Sequence, residues 1–156
     1  MEESKKILLA TSNEGKLKEF KKLFTKFDLV YQTELGINDA IEDGLTFFEN
    51  ALKKARHGAK ESELYTIADD SGLVVPGLNF EPGIYSARYA GEGASDLDNR
   101  NKIIEELKKR NLESLPAYYV CILVGINSEN DPMPIYASGK IHGKIRTISE
   151  GDGGFG

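Results

Sequence analysis

Six consecutive residues near the start of the chain, Thr11-Ser12-Asn13-Glu14-Gly15-Lys16, carry hydroxyl, amide and amine groups that suit an anion. The apolar run 6–11 predicts a buried strand, and helical periodicity follows the segment. A loop between a strand and a helix N-terminus offers backbone N–H groups and the positive end of the helix dipole. The segment therefore favours a phosphate-binding loop. A capped helix with a solvated Lys16 explains the same residues equally well.

A second polar segment, Asp69-Asp70-Ser71-Gly72, follows the apolar strand predicted over 64–68. Adjacent side chains on extended backbone point in opposite directions, so the two carboxylates are expected to have different roles. One could hold a hard cation such as Mg²⁺ together with phosphate oxygens, while the other braces the loop. Taken alone, these four residues are also typical of an acidic turn.

Polar side chains also accompany a helix predicted from Thr46 to about residue 60. Thr46 and Glu49 have the spacing of a capping box. Asn50, Lys54 and His57 are spaced i, i+4 and i+7, which places them on one stripe that is usually a solvated face. Glu49 and Lys53 read as a plain surface pair. Two further carboxylates, Glu42 and Asp43, stand just before this helix.

Aromatic and basic residues cluster in the segment 82–91. Tyr85 and Tyr89, with Arg88 between them, could stack on a nucleobase or clamp a phosphate. The same residues could equally pack a long loop or a subunit interface. The sequence leaves these alternatives open.

The composition restricts the class of protein. The 25 acidic and 20 basic residues among 156 give a net charge of −5, which argues against a nucleic-acid partner. Cys121 is the only cysteine, so no intrachain disulfide can form and a cytoplasmic location is expected. Cys121 lies in an apolar run and is expected to be a buried structural thiol. No stretch approaches the length of a membrane span, and no signal peptide or membrane partner is expected.

The remaining pattern predicts an α/β fold with a mixed twisted sheet flanked by helices, in one domain over residues 1–156. The helix after Lys16 is expected to present an apolar face made of Leu17, Phe20, Leu23, Phe24 and Phe27. The stripe expected for the second helix is Phe48, Leu52, Ala55 and Ala59. A third helix over 96–110 is expected to face inward through Leu97, Ile103, Ile104 and Leu107.

Further strands are predicted after residue 72. They cover residues 73–75, 117–126, 135–141 and 143–148, and a turn at 127–131 joins the second and third of these.

Four segments together resemble the inosine triphosphate pyrophosphatase family, in order and in spacing. They are ILLATSNEGKLKEF, EDGLTFFENALKKARHGAK, IADDSGLVV and PGIYSARYAG. The resemblance implies a hydrolase that cleaves inosine, deoxyinosine and xanthosine triphosphates between their α and β phosphorus atoms. Monophosphate and pyrophosphate would be the products, and deaminated purines would be cleared from the nucleotide pool. It also implies a homodimer.

The resemblance assigns roles residue by residue. Residues 11–16 would cradle the triphosphate, with Lys16 neutralising its charge. Glu42 and Asp70 would hold Mg²⁺, and Asp70 would also orient or deprotonate the attacking water. Lys54 would contact the phosphates, and Ser71 would help to seat the substrate.

The sequence departs from the family pattern at its end, where Gly154-Phe155-Gly156 is not followed by the family's Tyr-Asp-Pro stretch or its later Ser-His-Arg motif. Phe155 and Gly156 are still expected at the substrate, where Phe155 could stack on the base. The groups that read the purine edge are expected to be missing, so the chain is expected to lack the C-terminal segment of its domain. Two alternatives stay open. One is a non-catalytic nucleotide-binding or assembly module, and the other is a related pyrophosphatase that acts on modified pyrimidine or other nucleotides.

Overall fold

The computed structural model describes residues 5–148 and residue 155. Five strands and three α-helices occur in these residues, in the order β1 (Lys6–Leu9), α1 (Glu14–Leu23), β2 (Asp28–Tyr31), α2 (Phe47–Ser62), β3 (Tyr65–Val74), α3 (Asp96–Lys109), β4 (Ser114–Ile126) and β5 (Ile135–Arg146). Two short 3-10 helices, Pro76–Leu78 and Gly83–Arg88, lie between β3 and α3.

The strands form one mixed sheet in the order β2-β1-β3-β4-β5. Strand β1 pairs in parallel with both of its neighbours, so that Leu8 stands opposite Val30 of β2 and Thr66 of β3. The α/β fold with a mixed sheet, predicted from the sequence, is confirmed. Because Leu9 of β1 stands opposite Ile67 of β3, and Ala10 N donates to the carbonyl oxygen of Ile67, the loop after β1 begins beside the middle of β3.

Polar caps at the helix N-termini explain where the helices begin. Helix α1 starts after Asn13, whose side chain accepts a hydrogen bond from the backbone N–H of Lys16. The capping box predicted for α2 is present, because Thr46 and Glu49 each bind the other's backbone N–H. Helix α3 begins with a similar capping box after Ser95. Each cap satisfies N–H groups that the helix itself cannot pair.

Two strand predictions were wrong, and one strand was missed. The residues 69–72 do not form a turn after a short strand, because β3 runs without a break from Tyr65 to Val74. The two strands predicted over 135–141 and 143–148 are one strand, β5. Strand β2 was not predicted at all, since four residues give no clear periodicity and its pairing with β1 is a long-range contact.

The chain divides into two compact units, and each has its own apolar core. The first unit comprises Met1–Asp70 and Ile122–Ser138, and the second comprises Ser71–Cys121 and Gly139–Gly156. One domain over 1–156 stays a prediction. Within the described residues no helix has both the length and the apolar character needed to cross a membrane.

Small residues on α2 make up much of the first core. Ala51, Ala55 and Ala59 are buried there with alanines and β-branched residues of the sheet, which are Ala10, Ala68, Val124 and Ile126. The predicted stripe is confirmed, with Phe48 and Leu52 partly buried at its edge. Because alanine side chains are short, the helix backbone packs closely on the strands.

The second core contains side chains from β3, α3 and β4, including Leu73, Ile103 and Ala117. Cys121 is half-buried rather than fully buried as predicted. The apolar face predicted after Lys16 forms only in part. Phe20 is buried, but helix α1 ends at Leu23, which is 73% exposed, and Phe27 is 51% exposed. Leu97 was also expected to face inward but is exposed in the first turn of α3.

The close packing of α2 predicts that Gly58→Ala destabilises the protein by about 1–3 kcal/mol. A Cβ atom at Gly58 would lie 2.8 Å from Leu8 Cδ2, 3.0 Å from Thr66 Cγ2 and 3.1 Å from Ala10 Cβ. These neighbours are buried, so the overlap outweighs the gain of about 1 kcal/mol that alanine brings to a helix. Urea unfolding measures the difference.

The control for this prediction is Gly143→Ala in β5, where an added Cβ meets no atom within 4 Å. We expect little change for this variant. A Gly58→Ala protein more stable than the original would contradict the close approach of α2 to the sheet.

Candidate active site

The loop 11–16 is ordered by its own side chains. Asn13 Oδ1 accepts a hydrogen bond from Lys16 N at 3.1 Å, and Asn13 N donates to Thr11 Oγ1 at 3.2 Å. Thr11 is buried, whereas Ser12, Asn13, Glu14 and Gly15 are exposed. The first turn of α1 thus opens toward solvent with the N–H groups that helices leave unpaired at this end. This geometry suits an anion.

Lys16 extends from this turn to a buried carboxylate of β3. Its Nζ lies 2.6 Å from Asp69 Oδ2, and the Asp69 side chain is only 2% exposed. A carboxylate at such depth needs a cation or several donors, because burial removes its hydration. Lys16 is therefore not simply a solvated helix residue. Asp69 was one of the two carboxylates singled out in the sequence, but its ion pair with Lys16 was not predicted.

The polar stripe of α2 is not the solvated face that its spacing suggested. Asn50 is fully buried and its Oδ1 accepts a hydrogen bond from Gly44 N at 2.8 Å. Lys54 Nζ lies 2.9 Å from Glu42 Oε1. His57 Nε2 lies 2.8 Å from the carbonyl oxygen of Asn38. All three side chains contact one segment, residues 38–44, which precedes α2 and carries Glu42.

Glu49 and Lys53, which could have formed a surface pair, attract each other only weakly and make their close contacts elsewhere. The carboxylate of Glu49 accepts hydrogen bonds from the backbone N–H groups of Leu45 and Thr46, so it serves the cap of α2. Lys53 instead binds the carboxylate of Asp43. Lys53 and Asp43 are ten positions apart in the sequence, and the folded segment before α2 brings them together.

Asp70 lies at the centre of the charged residues. Burial raises the pKa of Asp70 to about 6, and the nearby Glu42 carboxylate adds to the rise. Three groups lower the pKa of Asp70, because each favours its ionised form. They are Lys54, the Asn50 amide and Lys16. Lys16 thus acts on both carboxylates, because it forms an ion pair with Asp69 and also favours the ionised form of Asp70.

The structure therefore brings together the loop 11–16, Glu42, Lys54 and Asp70, which the sequence analysis proposed, and adds Asp69 and Asn50. We call the ionisable members, Lys16, Glu42, Lys54, Asp69 and Asp70, the charged cluster. Its two lysines could bind phosphate oxygens. No group of three or more His, Cys, Asp or Glu side chains converges on a metal position in residues 5–148 and 155. Mg²⁺ commonly binds through only one or two carboxylates plus substrate phosphates, and Glu42 and Asp70 could supply these.

The other predicted site residues belong to the second unit. Ser71 Oγ lies 3.3 Å from the hydroxyl oxygen of Tyr119. Phe155 packs against the second core. Gly156 lies outside the described residues, so its proposed contact with substrate stays a prediction.

The aromatic and basic residues of the segment 82–91 contact one another and their own unit. The Arg88 guanidinium lies 5.3 Å from the centroid of the Tyr85 ring. Tyr89 is buried, and its hydroxyl donates a hydrogen bond to Glu81 at 2.7 Å. Tyr89 thus packs a long loop, which was one of the alternatives left open, while Tyr85 remains exposed.

The raised pKa of Asp70 predicts a pH-dependent cost to stability. Unfolded aspartate has a pKa near 3.9, so between about pH 4 and 6 the folded protein keeps a proton that the unfolded chain has lost. Stability contributed by this group therefore falls as the pH rises through that window. We expect Asp70→Asn to be more stable than the original protein by about 1–2 kcal/mol at pH 7.5 and to lose that advantage at pH 4.5.

Urea unfolding with a chelator at both pH values measures this effect. The control is Asp43→Asn, because Asp43 is exposed and its hydrogen bond with Lys53 holds its pKa below the usual range. That variant is not expected to gain stability as the pH rises. An Asp70→Asn advantage that does not change with pH would contradict the burial of an ionised carboxylate.

Comparisons with known proteins identify the family. The model of the Ham1 family matches residues 7–156. The dITP/XTP pyrophosphatase of Vibrio cholerae is 50% identical over 154 residues, which are 97% of this chain and 77% of that protein. The corresponding Legionella pneumophila protein is 47% identical over 152 residues, with 97% and 78% covered.

Solved structures agree with this result. A HAM1 protein from Coxiella burnetii has a TM-score of 0.87 and 39% identity, covering 97% of this chain and 78% of its own. The Staphylococcus aureus Ham1 protein has a TM-score of 0.82 and 36% identity, with the same coverage. The family expected from the sequence motifs is confirmed. The chain belongs to the Ham1 family.

Proposed function

We propose that this protein hydrolyses non-standard purine nucleoside triphosphates, namely dITP, XTP and ITP, to monophosphate and pyrophosphate. The observation that carries the proposal is the charged cluster beside the loop 11–16, where two lysines and a buried carboxylate of raised pKa converge. The relatives named dITP/XTP pyrophosphatase, at 47–50% identity, support the choice of substrate. In the cell, this activity would clear deaminated purines from the nucleotide pool.

The triphosphate binds at the N-terminus of α1. Backbone N–H groups of the first turn donate to phosphate oxygens, and the positive end of the helix dipole favours the anion. Lys16 and Lys54 add positive charge from two sides. Each lysine is held by a carboxylate in the free protein, 2.6 Å from Asp69 and 2.9 Å from Glu42, so its position is set before substrate arrives.

Glu42 and Asp70 hold Mg²⁺ in this proposal. The pair fits a hard cation because both side chains offer carboxylate oxygens, and the burial and mutual repulsion that raise the pKa of Asp70 would be relieved by a divalent ion. When bound, Mg²⁺ offsets the charge of the phosphates and orients them.

Asp70 positions the attacking water and takes its proton. A carboxyl with a pKa near 6 is mostly ionised at pH 7 yet is a stronger base than an ordinary aspartate. The water oxygen bonds to the α-phosphorus, the bond from that phosphorus to the bridging oxygen breaks, and pyrophosphate leaves. Lys16 and Lys54 stabilise the charge that develops on the phosphate chain.

The proposal predicts pyrophosphate release from dITP and XTP that needs Mg²⁺ and stops with a chelator. Glu42→Gln and Asp70→Asn should lower the rate, the latter by about 10²–10⁴-fold because the general base is lost. A coupled assay for pyrophosphate measures all of these rates.

Asp43→Asn is the matched control for Glu42→Gln. The two residues are neighbours, but Asp43 is exposed and bound to Lys53, so its variant should turn over within about twofold of the original protein. Loss of activity in Asp43→Asn equal to that in Glu42→Gln would argue against a specific role for Glu42. Absence of pyrophosphate release from any purine triphosphate would overturn the proposal.

We also propose that the protein acts in the cytoplasm as a homodimer. The single cysteine and the family resemblance support these two points. Sedimentation at micromolar concentration tests the second point, because a monomer of 17.2 kDa separates clearly from a dimer.

A further inference from the structure

We infer that Asp39 is a positioning residue for the phosphate-binding loop. Asp39 lies between β2 and α2, three residues before Glu42. Its carboxylate accepts two hydrogen bonds, from Ser12 Oγ at 2.9 Å and from Gln32 Nε2 at 2.5 Å. It thus joins the loop after β1 to the loop after β2. The inference rests on the proposed function, because it assigns Asp39 to the binding of the substrate's phosphates.

Gln32, one of the two hydrogen-bond partners of Asp39, is held in place by its own backbone hydrogen bonds. Gln32 is only 4% exposed, and its backbone N–H donates to the carbonyl oxygen of Leu9 at 3.2 Å. Its own carbonyl oxygen accepts from Ile37 N at 2.9 Å. The amide that binds Asp39 is therefore fixed to the end of β1, immediately before the phosphate-binding loop.

The segment that carries Asp39 is held on its other side by α2. His57 contacts the carbonyl oxygen of Asn38, and Lys54 contacts Glu42. Asp39 lies between these two points. Its carboxylate therefore has a defined position although the side chain itself is exposed.

Ser12, in contrast, is an exposed residue whose side chain is oriented by this contact. A charge-assisted hydrogen bond to a held carboxylate restricts the loop before substrate binds, which reduces the entropy lost on binding. It also assigns the Ser12 hydroxyl proton to Asp39. The backbone N–H groups of the loop, rather than this hydroxyl, are then the donors to the phosphates.

The negative charge of Asp39 opposes phosphate binding, whereas its hydrogen bonds favour it. Variants that separate these two effects should therefore change the affinity in opposite directions. A carboxylate beside a polyanion site repels the ligand, so only the two hydrogen bonds favour binding. In Asp39→Asn, the side-chain oxygen can accept from Gln32 while the NH₂ group donates to Ser12 Oγ. This variant keeps both contacts without the repulsion, whereas Asp39→Ala loses both.

The experiment measures the affinity for inorganic tripolyphosphate by calorimetry with Mg²⁺, and kcat and KM for dITP. Asp39→Ala should raise the tripolyphosphate Kd and the KM about five- to tenfold, with kcat changed less than about threefold. Asp39→Asn should bind at least as tightly as the original protein. In a Ser12→Ala background, Asp39→Ala should have a smaller effect, because the two residues act through one contact.

Several results would overturn the inference. Tighter binding in both Asp39 variants would show that only the charge matters. Asp39→Asn could also bind as weakly as Asp39→Ala while its melting temperature is unchanged. That result would show that the two hydrogen bonds of Asp39 do not support phosphate binding. A loss confined to kcat would also contradict a positioning role. Because tripolyphosphate binding does not require turnover, these results remain separate from a failure to hydrolyse dITP, which would overturn only the proposed function.

Discussion

Asp69 and Asp70 are adjacent carboxylates buried in strand β3, and each requires compensating groups that other elements must deliver. Asp69 is met by Lys16 from the first turn of α1, and Asp70 lies near Lys54 and Asn50 of α2. Helix α1 supplies the ion pair of Asp69, and α2 supplies two of the groups that favour the ionised form of Asp70. The ion pair with Asp69 holds the first turn of α1, which follows the loop 11–16, and the ion pair between Lys54 and Glu42 holds Glu42.

Helix α2 brings compensating groups to the buried carboxylates, and it uses two different faces to do so. One face consists of small residues, Ala51, Ala55, Gly58 and Ala59, that pack in the first core. The other carries Asn50, Lys54 and His57, which contact the segment 38–44. The apolar face sets how closely the helix approaches the strands, and the polar face uses that position to hold Glu42. A change of packing on the first face would therefore move the second.

The surroundings of Asp70 oppose its ionisation, because burial and the nearby Glu42 carboxylate raise its pKa. Burial beside Glu42 disfavours the ionised carboxylate, which is nevertheless the form that can accept a proton from water and hold a cation. Strained electrostatics of this kind are typical of sites where activity is kept at the expense of stability. The proposed function gives this cost a reason, because a bound cation and its phosphates would restore the charge balance.

The sequence alone determined the α/β class, the start of α2 at Thr46, the alanine stripe of α2 and the family, because capping, periodicity and motif order are local signals. It also picked out the residues 11–16, Glu42, Lys54 and Asp70. Only the tertiary structure decided that β3 continues through Asp69 and Asp70, that Asp69 binds Lys16, and that the polar stripe of α2 faces a loop instead of solvent. The contact of Asp39 with Ser12 joins residues 27 positions apart. Such pairings depend on which strands are neighbours in the sheet, and no local pattern encodes that.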